Sequence, residues 1–449
     1  MNMPGVYMIE WAVMHTFGAG DLAWRMFDFS LMGAAASAFF VITFPDWFAG
    51  IFAASLFILV HGRDGLGQAG QRDLTMSICL LAATAALMLG MRKNSWWGFA
   101  AFGFFAGVAA TIKPTALLFS VLLLIVVVVA WKREGRKLGA DVGLASSAFL
   151  IGPLAAFIFL WKQGAVGAFL GGFSGIVPYY ASLGHKPLGF LLVHSMSPLV
   201  PLVVIWVLLL LAMRPKLTLD RVILLCGVGF GLVSYVVQAR GYPYYRYSLL
   251  AFLLPLMAVD FSAALRNCAG WRLRAASTLA ALGLFVGAFV IAPTSIFYIH
   301  SYETHEDFIT SLSSTLDELG GASLSGRVQC VDSISGCGTT LYRMRLVQTT
   351  GVLSDFLLFG PEDVPVVRST RSQFLRAIEG RPPEVIIVSG WLHIDGPGDY
   401  KKLDRWPQFS EMLSDKYLLK TQWSPGRPNH WWSRKQWPDG YRVYVLRAK

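Results

Sequence analysis

Charge is scarce in this chain of 449 residues: Asp, Glu, Lys and Arg together make up 14%, against 55% hydrophobic residues. A soluble globular protein carries about 25% charged residues and an apolar fraction nearer half, so that class is excluded. With a mean hydropathy of +0.53, the chain reads as a polytopic membrane protein. Acidic residues are scarcer than basic ones, 27 against 38, which leaves a formal charge of +11. This excess does not point to nucleic acid. The Lys and Arg residues fall in short clusters between apolar runs, where the positive-inside rule places them. Cysteine is sparse too. Cys79 and Cys226 lie in apolar runs and Cys268 in a short basic loop, so only Cys330 and Cys337 are close together in polar sequence. They can form a disulfide if that tail is extracytoplasmic. The opening residues 1–18 (MNMPGVYMIEWAVMHTFG) lack a charged n-region and a cleavage site, and their apolar run is shorter than the roughly 20 residues of a spanning helix. This excludes a signal peptide and leaves an interfacial amphipathic helix over residues 1–20. No tandem repeat or low-complexity tract is present.

What the chain does have is a series of apolar runs, at 21–43, 47–60, 74–90, 96–112, 115–130, 142–160, 197–213, 222–237, 249–265 and 275–298. They predict a membrane domain over 21–298 with about ten spans. Arg92 and Lys93, the group Lys132, Arg133, Arg136 and Lys137, the group Arg214, Lys216 and Arg221, and the group Arg266, Arg272 and Arg274 fall on alternate loops, hence on the cytoplasmic side. The 61–73 segment, the Lys113-Pro114 turn, the long 162–193 loop, the 238–247 loop and the tail then share the other side, which holds most of the unusual polar chemistry. From 299 to 449 the composition changes to that of a soluble domain. Helix-like stretches (306–319, 371–379, 409–415) alternate with strand-like ones (327–331, 385–388, 441–446), the pattern of an extracytoplasmic α/β domain. Trp423, Trp431, Trp432 and Trp437, with Arg434 and Lys435, form an aromatic-rich segment there; packing explains it better than an interfacial anchor or a sugar-stacking surface.

The segment 61–73 (HGRDGLGQAGQRD) concentrates Asp64, Asp73, Arg63 and Arg72 where a membrane protein needs only a short turn. A solvated loop accounts for it as well as a functional site does. Lys113 stands at a membrane edge before Pro114, where a cation is costly unless it meets an anion or snorkels to the interface. Arg240 and Arg246 flank Tyr242, Tyr244, Tyr245 and Tyr247, a combination suited to a phosphate with a sugar or isoprenoid, and equally to an aromatic interfacial belt. Asp28 lies one turn after Arg25, so an intrahelical pair is the simpler account of it, and Glu10 can face solvent. His61, His185 and His194 have no zinc spacing.

These stretches carry a resemblance. Residues 3–11 (MPGVYMIEW), then Phe17-Gly18 and Ala23-Trp24-Arg25, residues 103–115 (GFFAGVAATIKPT), and residues 238–247 (QARGYPYYRY) together resemble, in order, motifs of the GT-C superfamily. These are integral membrane glycosyltransferases that use polyprenyl-phosphate sugars and include protein O-mannosyltransferases and aminoarabinose transferases. The resemblance implies an inverting transfer from a polyprenyl-phosphate donor to an extracytoplasmic glycan, lipid or protein acceptor, in a multi-pass plasma-membrane protein surrounded by membrane lipid. A carboxylate would take the acceptor proton and cations would hold the departing phosphate. The candidates for the base are Asp73, Asp64 and Asp28, with Asp73 similar to an acidic residue of the family's second extracytoplasmic loop. The candidates for donor binding are Lys113, Arg240, Tyr244, Tyr245, Arg246 and Arg72. No metal site is implied by the residues; some relatives use a divalent cation at the lipid phosphate. Family members reach the helix that opens this chain only after a further span and a first loop bearing an acidic residue. A truncated or reduced member is therefore expected, of about eleven spans when that one is added, with the usual base absent. The alternatives are a membrane protein that binds a lipid carrier without chemistry, and a transporter.

Overall fold

A computed structural model describes residues 3–18, 20–133, 135, 139–266, 269–303, 306–392, 398, 400–426, 434–435 and 440–447. Two compact units emerge, one of Met1–Leu170 with His185–Ile299, the other of Gly171–Gly184 with His300–Lys449. The first is all helical: α1 (Pro4–Phe17), α2 (Asp21–Thr43), α3 (Trp47–Asp64), α4 (Arg72–Lys93), α5 (Trp96–Ile112), α6 (Thr115–Arg133), α7 (Gly139–Lys162), the start of α8 (Val166–Ala181), whose residues from Gly171 on belong to the second unit, α9 (Leu188–Ser195), α10 (Val200–Met213), α11 (Leu219–Gln238), α12 (Tyr247–Arg266), and α13 (Gly270–Val286), which continues through a π turn at Gly287–Ile291 into α14 (Ala292–Ser301). Each of the apolar runs read from the sequence is helical. Among the described residues, seven helices are long and apolar enough to cross a membrane, or eight if the α9–α10 pair, bent by 83°, makes one span. The chain is a multi-pass membrane protein. α5 misses that test because Pro114, directly after Lys113, stops it one turn early: Lys113 caps it in an extended conformation (φ −151°, ψ 118°).

Three features depart from the expectations. The 162–193 stretch is not a loop, since it holds α8 and α9; its glycines and Pro178 obscure the helical period. The 61–73 segment is mostly helix as well: α3 runs on through Asp64, a short turn covers Leu66–Gln68, and α4 begins at Arg72. α1 buries Pro4, Gly5, Val6 and Val13 yet exposes Tyr7, Trp11 and Phe17, so it is apolar around most of its girth and not amphipathic.

Close packing of α5 on α7 is written into the glycines of residues 103–115. A Cβ on Gly103 would lie 2.0 Å from the Ala145 carbonyl oxygen, one on Gly107 2.1 Å from that of Phe149, and one on Gly152 2.7 Å from the Gly107 carbonyl carbon. In lipid, where burial of apolar surface gives helices no reason to associate, such close approach supplies much of the attraction. It also fixes the end of α5, and so Lys113.

The second unit is α/β. A four-stranded sheet has the order β2-β3-β6-β4, with β2 (Val328–Val331) parallel to β3 (Val385–Ser389), and with β6 (Tyr441–Leu446) antiparallel to both β3 and β4 (Tyr417–Trp423). Short strands β1 (Tyr302–Glu303) and β5 (Arg434–Lys435) pair separately. Helices α15 (Glu306–Leu319), α16 (Cys337–Arg343), α17 (Pro365–Gly380) and α18 (Pro407–Lys416) complete it. Two apolar clusters form its core, one around Leu312, Val328 and Ile387, the other around Phe374, Ile386 and Phe409. The strand β4 and the short helix α16 escape the sequence patterns: β4 follows α18 without a turn, and its exposed Leu418 and Leu419 break the alternation.

Cys330 and Cys337 form a disulfide with Cα atoms 6.0 Å apart. Between them Asp332 gathers the backbone N–H groups of Ile334, Ser335, Gly336 and Cys337 at 3.0–3.2 Å. Burial works against its charge, but Lys402 and these N–H donors outweigh it and hold the carboxyl below the ordinary carboxylate range. The fully buried Lys402 in turn donates to Asp355 (2.6 Å), Ser389 (2.9 Å) and the Val331 and Trp391 carbonyls. Trp423 stacks on Tyr441 with ring centroids 5.4 Å apart, in keeping with a packing role. Arg136, Lys137, Cys268, Trp431, Trp432 and Trp437 lie outside the described residues, and Arg434 and Lys435 are described by their backbone alone.

Candidate functional site

Two adjoining polar groups form where α3, α4, α5, α11 and α12 end or begin. The first is centred on Lys113. Its Nζ donates to Asp73 Oδ1 and to Gln238 Oε1, both at 2.6 Å, and sits 5.0 Å from the centre of the Tyr245 ring. Asp73 is buried in the first turn of α4, where the helix dipole favours a carboxylate, and its Oδ2 accepts from Arg72 Nε at 3.3 Å. Arg72 and Arg240 are both within electrostatic reach of Lys113, and Arg240 is itself 4% exposed. Lys113 and Arg72 thus share the Asp73 carboxylate, and Arg240 belongs to the same group.

The second group is centred on Arg246, which ion-pairs with Asp64 and donates to the His194 carbonyl at 3.4 Å. Beside it His61 bridges Tyr247 Oη (2.8 Å) and Asp28 Oδ2 (3.0 Å), and Asp28 Oδ1 accepts from the Gly70 N–H at 3.1 Å. Asp28 is therefore engaged across helices by His61, not explained by Arg25 one turn back. Tyr242 stacks on Tyr244, and Tyr245 meets Tyr244 edge-on with ring centroids 4.5 Å apart. Among the described residues, no three His, Cys, Asp or Glu side chains converge to hold a metal.

All nine residues proposed from the sequence thus fall in this one region of the helical unit. Sequence reasoning missed three more. Gln238 appeared only within a motif, although its spacing from Arg240 and Arg246 could have flagged it. His61 was weighed only as a zinc ligand, and Tyr235, inside an apolar run, carried no signal at all.

The opposite end of the same helices holds a second ionic cluster. Arg92 donates to the Val41 and Ile42 carbonyls and to Asp220 (2.7–2.8 Å). Arg221 grips Asp260 with two bonds of 2.5 and 3.0 Å while Trp206 Nε1 donates to the same carboxylate at 2.8 Å, and Arg266 reaches Asp46 at 2.6 Å. Asp46, Arg92, Asp220, Arg221, Asp260 and Arg266 line a cavity of about 380 Å³. Here each of the carboxylates has its own arginine.

No family model matches this sequence, and no curated protein matches it significantly. Solved structures do match. The crystal structure of ArnT from Cupriavidus metallidurans bound to undecaprenyl phosphate superposes with a TM-score of 0.58 at 11% identity, covering 98% of this chain and 87% of that one. The apo structure of the same protein gives a TM-score of 0.56 at 12% identity over the same shares. The chain has the fold of these ArnT structures.

Proposed function

We propose that this protein is a glycosyltransferase that takes a sugar from a polyprenyl-phosphate carrier and places it on an extracytoplasmic acceptor. One observation carries the reading: Asp73 pairs with Lys113 and Arg72, and Arg240 lies within electrostatic reach of the same lysine, in a fold whose solved example binds undecaprenyl phosphate. A phosphate entering there would meet these cations, which would stabilise it as it leaves. Tyr244 and Tyr245 offer an aromatic face for the sugar or the first isoprene unit. Asp73 then serves to hold Lys113, and the base falls to another carboxylate. Both oxygens of Asp73 are engaged by cations, and both of Asp28 by His61 and Gly70. Asp64 keeps Oδ2 without a hydrogen-bond partner, so it is the best placed to accept a proton. The charge bias supports a plasma-membrane protein with its arginine-rich loops in the cytoplasm and both this site and the C-terminal unit outside.

The reading is tested in lipid nanodiscs by native mass spectrometry with undecaprenyl phosphate, then by release of sugar from undecaprenyl-phosphate-linked hexoses and pentoses. Saturable binding that Lys113→Ala weakens, followed by release, is the expected result. A second reading rests on the pairing of each of the three carboxylates with a cationic or imidazole group, which suits a carrier-binding protein without chemistry. Binding without release from any donor would favour it, and absence of binding removes both.

A further inference from the structure

The Arg246 group holds an incomplete set of polar atoms. Asp64 Oδ2, Arg246 Nε and Tyr235 Oη are all buried and have no hydrogen-bond partner. The Arg246 and Asp64 side chains are 8% and 6% exposed and Tyr235 is 1% exposed. The three belong together: Asp64 and Arg246 form an ion pair, and the Tyr235 hydroxyl lies within electrostatic reach of both. Tyr235 itself is packed against Leu191 and Tyr245. Each such buried atom left unsatisfied costs about 1–3 kcal/mol, and three within one electrostatically linked group are an unusual concentration in a native protein.

The kind of atom that would satisfy them is specified by what they are. Arg246 Nε and the Tyr235 hydroxyl offer protons, whereas Asp64 Oδ2 can only accept one while ionised. A phosphate oxygen would answer the first two and repel the third. An ammonium would answer the third and leave the first two unmet. A hydroxyl answers both kinds through a single oxygen. Tyr235 also stands one turn before Gln238 on α11, and Gln238 holds Lys113, so one helix end presents both groups.

Resting on the donor reading above, we infer that Tyr235, Asp64 and Arg246 form the acceptor subsite and that the acceptor group is an alcoholic hydroxyl, as on a glycan or hydroxylated lipid, rather than a phosphate or an amine. In the transfer, the hydroxyl oxygen forms the new bond to the anomeric carbon as the bond from that carbon to the carrier phosphate breaks. The bonding electrons leave with the phosphate, and the hydroxyl proton passes to Asp64 Oδ2. Tyr235 is a positioning residue, since it orients the hydroxyl oxygen and exchanges no proton.

The test uses the full chain in nanodiscs, with 3-fluorotyrosine at position 235 as a fluorine NMR reporter and two probes sharing one alkyl chain, octyl glucoside and octyl phosphate. With undecaprenyl phosphate saturating the Lys113 group, octyl glucoside should move the resonance saturably and octyl phosphate should not. In Tyr235→Phe, competition measurements should give an affinity for octyl glucoside about fivefold weaker, the loss of one neutral hydrogen bond. Equal response to octyl phosphate, no response to octyl glucoside, or unchanged affinity in Tyr235→Phe overturns the inference. Binding of undecaprenyl phosphate, followed separately by native mass spectrometry, reports on the donor reading. The two can therefore fail independently.

Discussion

The two ends of the helical unit are built from the same ingredients and differ in how completely those are matched. At the Arg92 end, Asp220, Asp260 and Asp46 each meet an arginine, and Asp260 also takes the Trp206 indole. At the Lys113 end, Lys113 and Arg72 share Asp73, while Asp64, Arg246 and Tyr235 keep buried atoms without partners. A closed ionic cluster fastens helices together, and an open one is poised for a ligand. Charge and burial alone do not separate the two cases; the count of unmet donors and acceptors does.

The sharpest way to break this contrast is at the open end. If Asp64 is the base, Asp64→Asn lowers sugar transfer by about 10²–10⁴-fold while undecaprenyl phosphate still binds, as measured by turnover beside native mass spectrometry. A variant with full turnover returns Asp64 to a purely structural role. At the closed end the matching change is in stability. Asp260→Ala strands Arg221, 12% exposed at its side chain, and should cost about 3–5 kcal/mol in thermal or denaturant unfolding. A loss within the noise would mean that this cluster, too, serves something other than the fold.

Lys113→Ala should weaken undecaprenyl phosphate binding about tenfold or more, the scale of a charge-assisted hydrogen bond to phosphate. The Kd in nanodiscs checks it. A further contrast lies in the α/β unit, whose buried carboxylate is satisfied. The Asp332 carboxyl is held below the ordinary carboxylate range, so its contribution to stability is complete above the unfolded pKa of about 4 and is lost as pH falls through the lower folded value. Unfolding between pH 6 and pH 2 should reveal this loss, and Asp332→Asn should flatten it. The smallest effect is expected at Arg266, whose side chain is 61% exposed in its pair with Asp46. Arg266→Ala should cost less than about 1 kcal/mol, which sets the baseline for Asp260.

Legibility along the chain followed the strength of local signals. The helices α2, α4 and α6 are long apolar runs closed by charge, and the sequence marks them plainly. Pro114 marks the end of α5, and Asp46, which accepts from the Ala49 N–H at 3.2 Å, marks the start of α3. α8 is apolar, but at 16 residues it is too short to read as a span, and its glycines and Pro178 obscure the helical period. Lys113, Arg240 and Arg246 lie in motif order, and the fold brings them into one region. Asp28 was found but assigned to the wrong partner, since its neighbour in sequence is Arg25 while its neighbour in space, His61, is 33 positions away.

What the sequence determined by itself is the class of the molecule and the order of its parts: apolar runs of spanning length, basic clusters alternating between loops, a polar tail with α/β pattern, and glycines at 103 and 107 spaced for close helix contact. These are local or periodic properties, and local chemistry dictates them. Tertiary structure alone decided which ions meet. Lys113 draws its partners from α4 and α11, Arg246 from α3, and His61 from α2 and α12. Those pairings depend on helix packing angles and register, set by many side-chain contacts at once, so no window of sequence contains them. The same holds for Tyr235, an ordinary tyrosine in an apolar run until folding buries its hydroxyl beside Asp64 and Arg246.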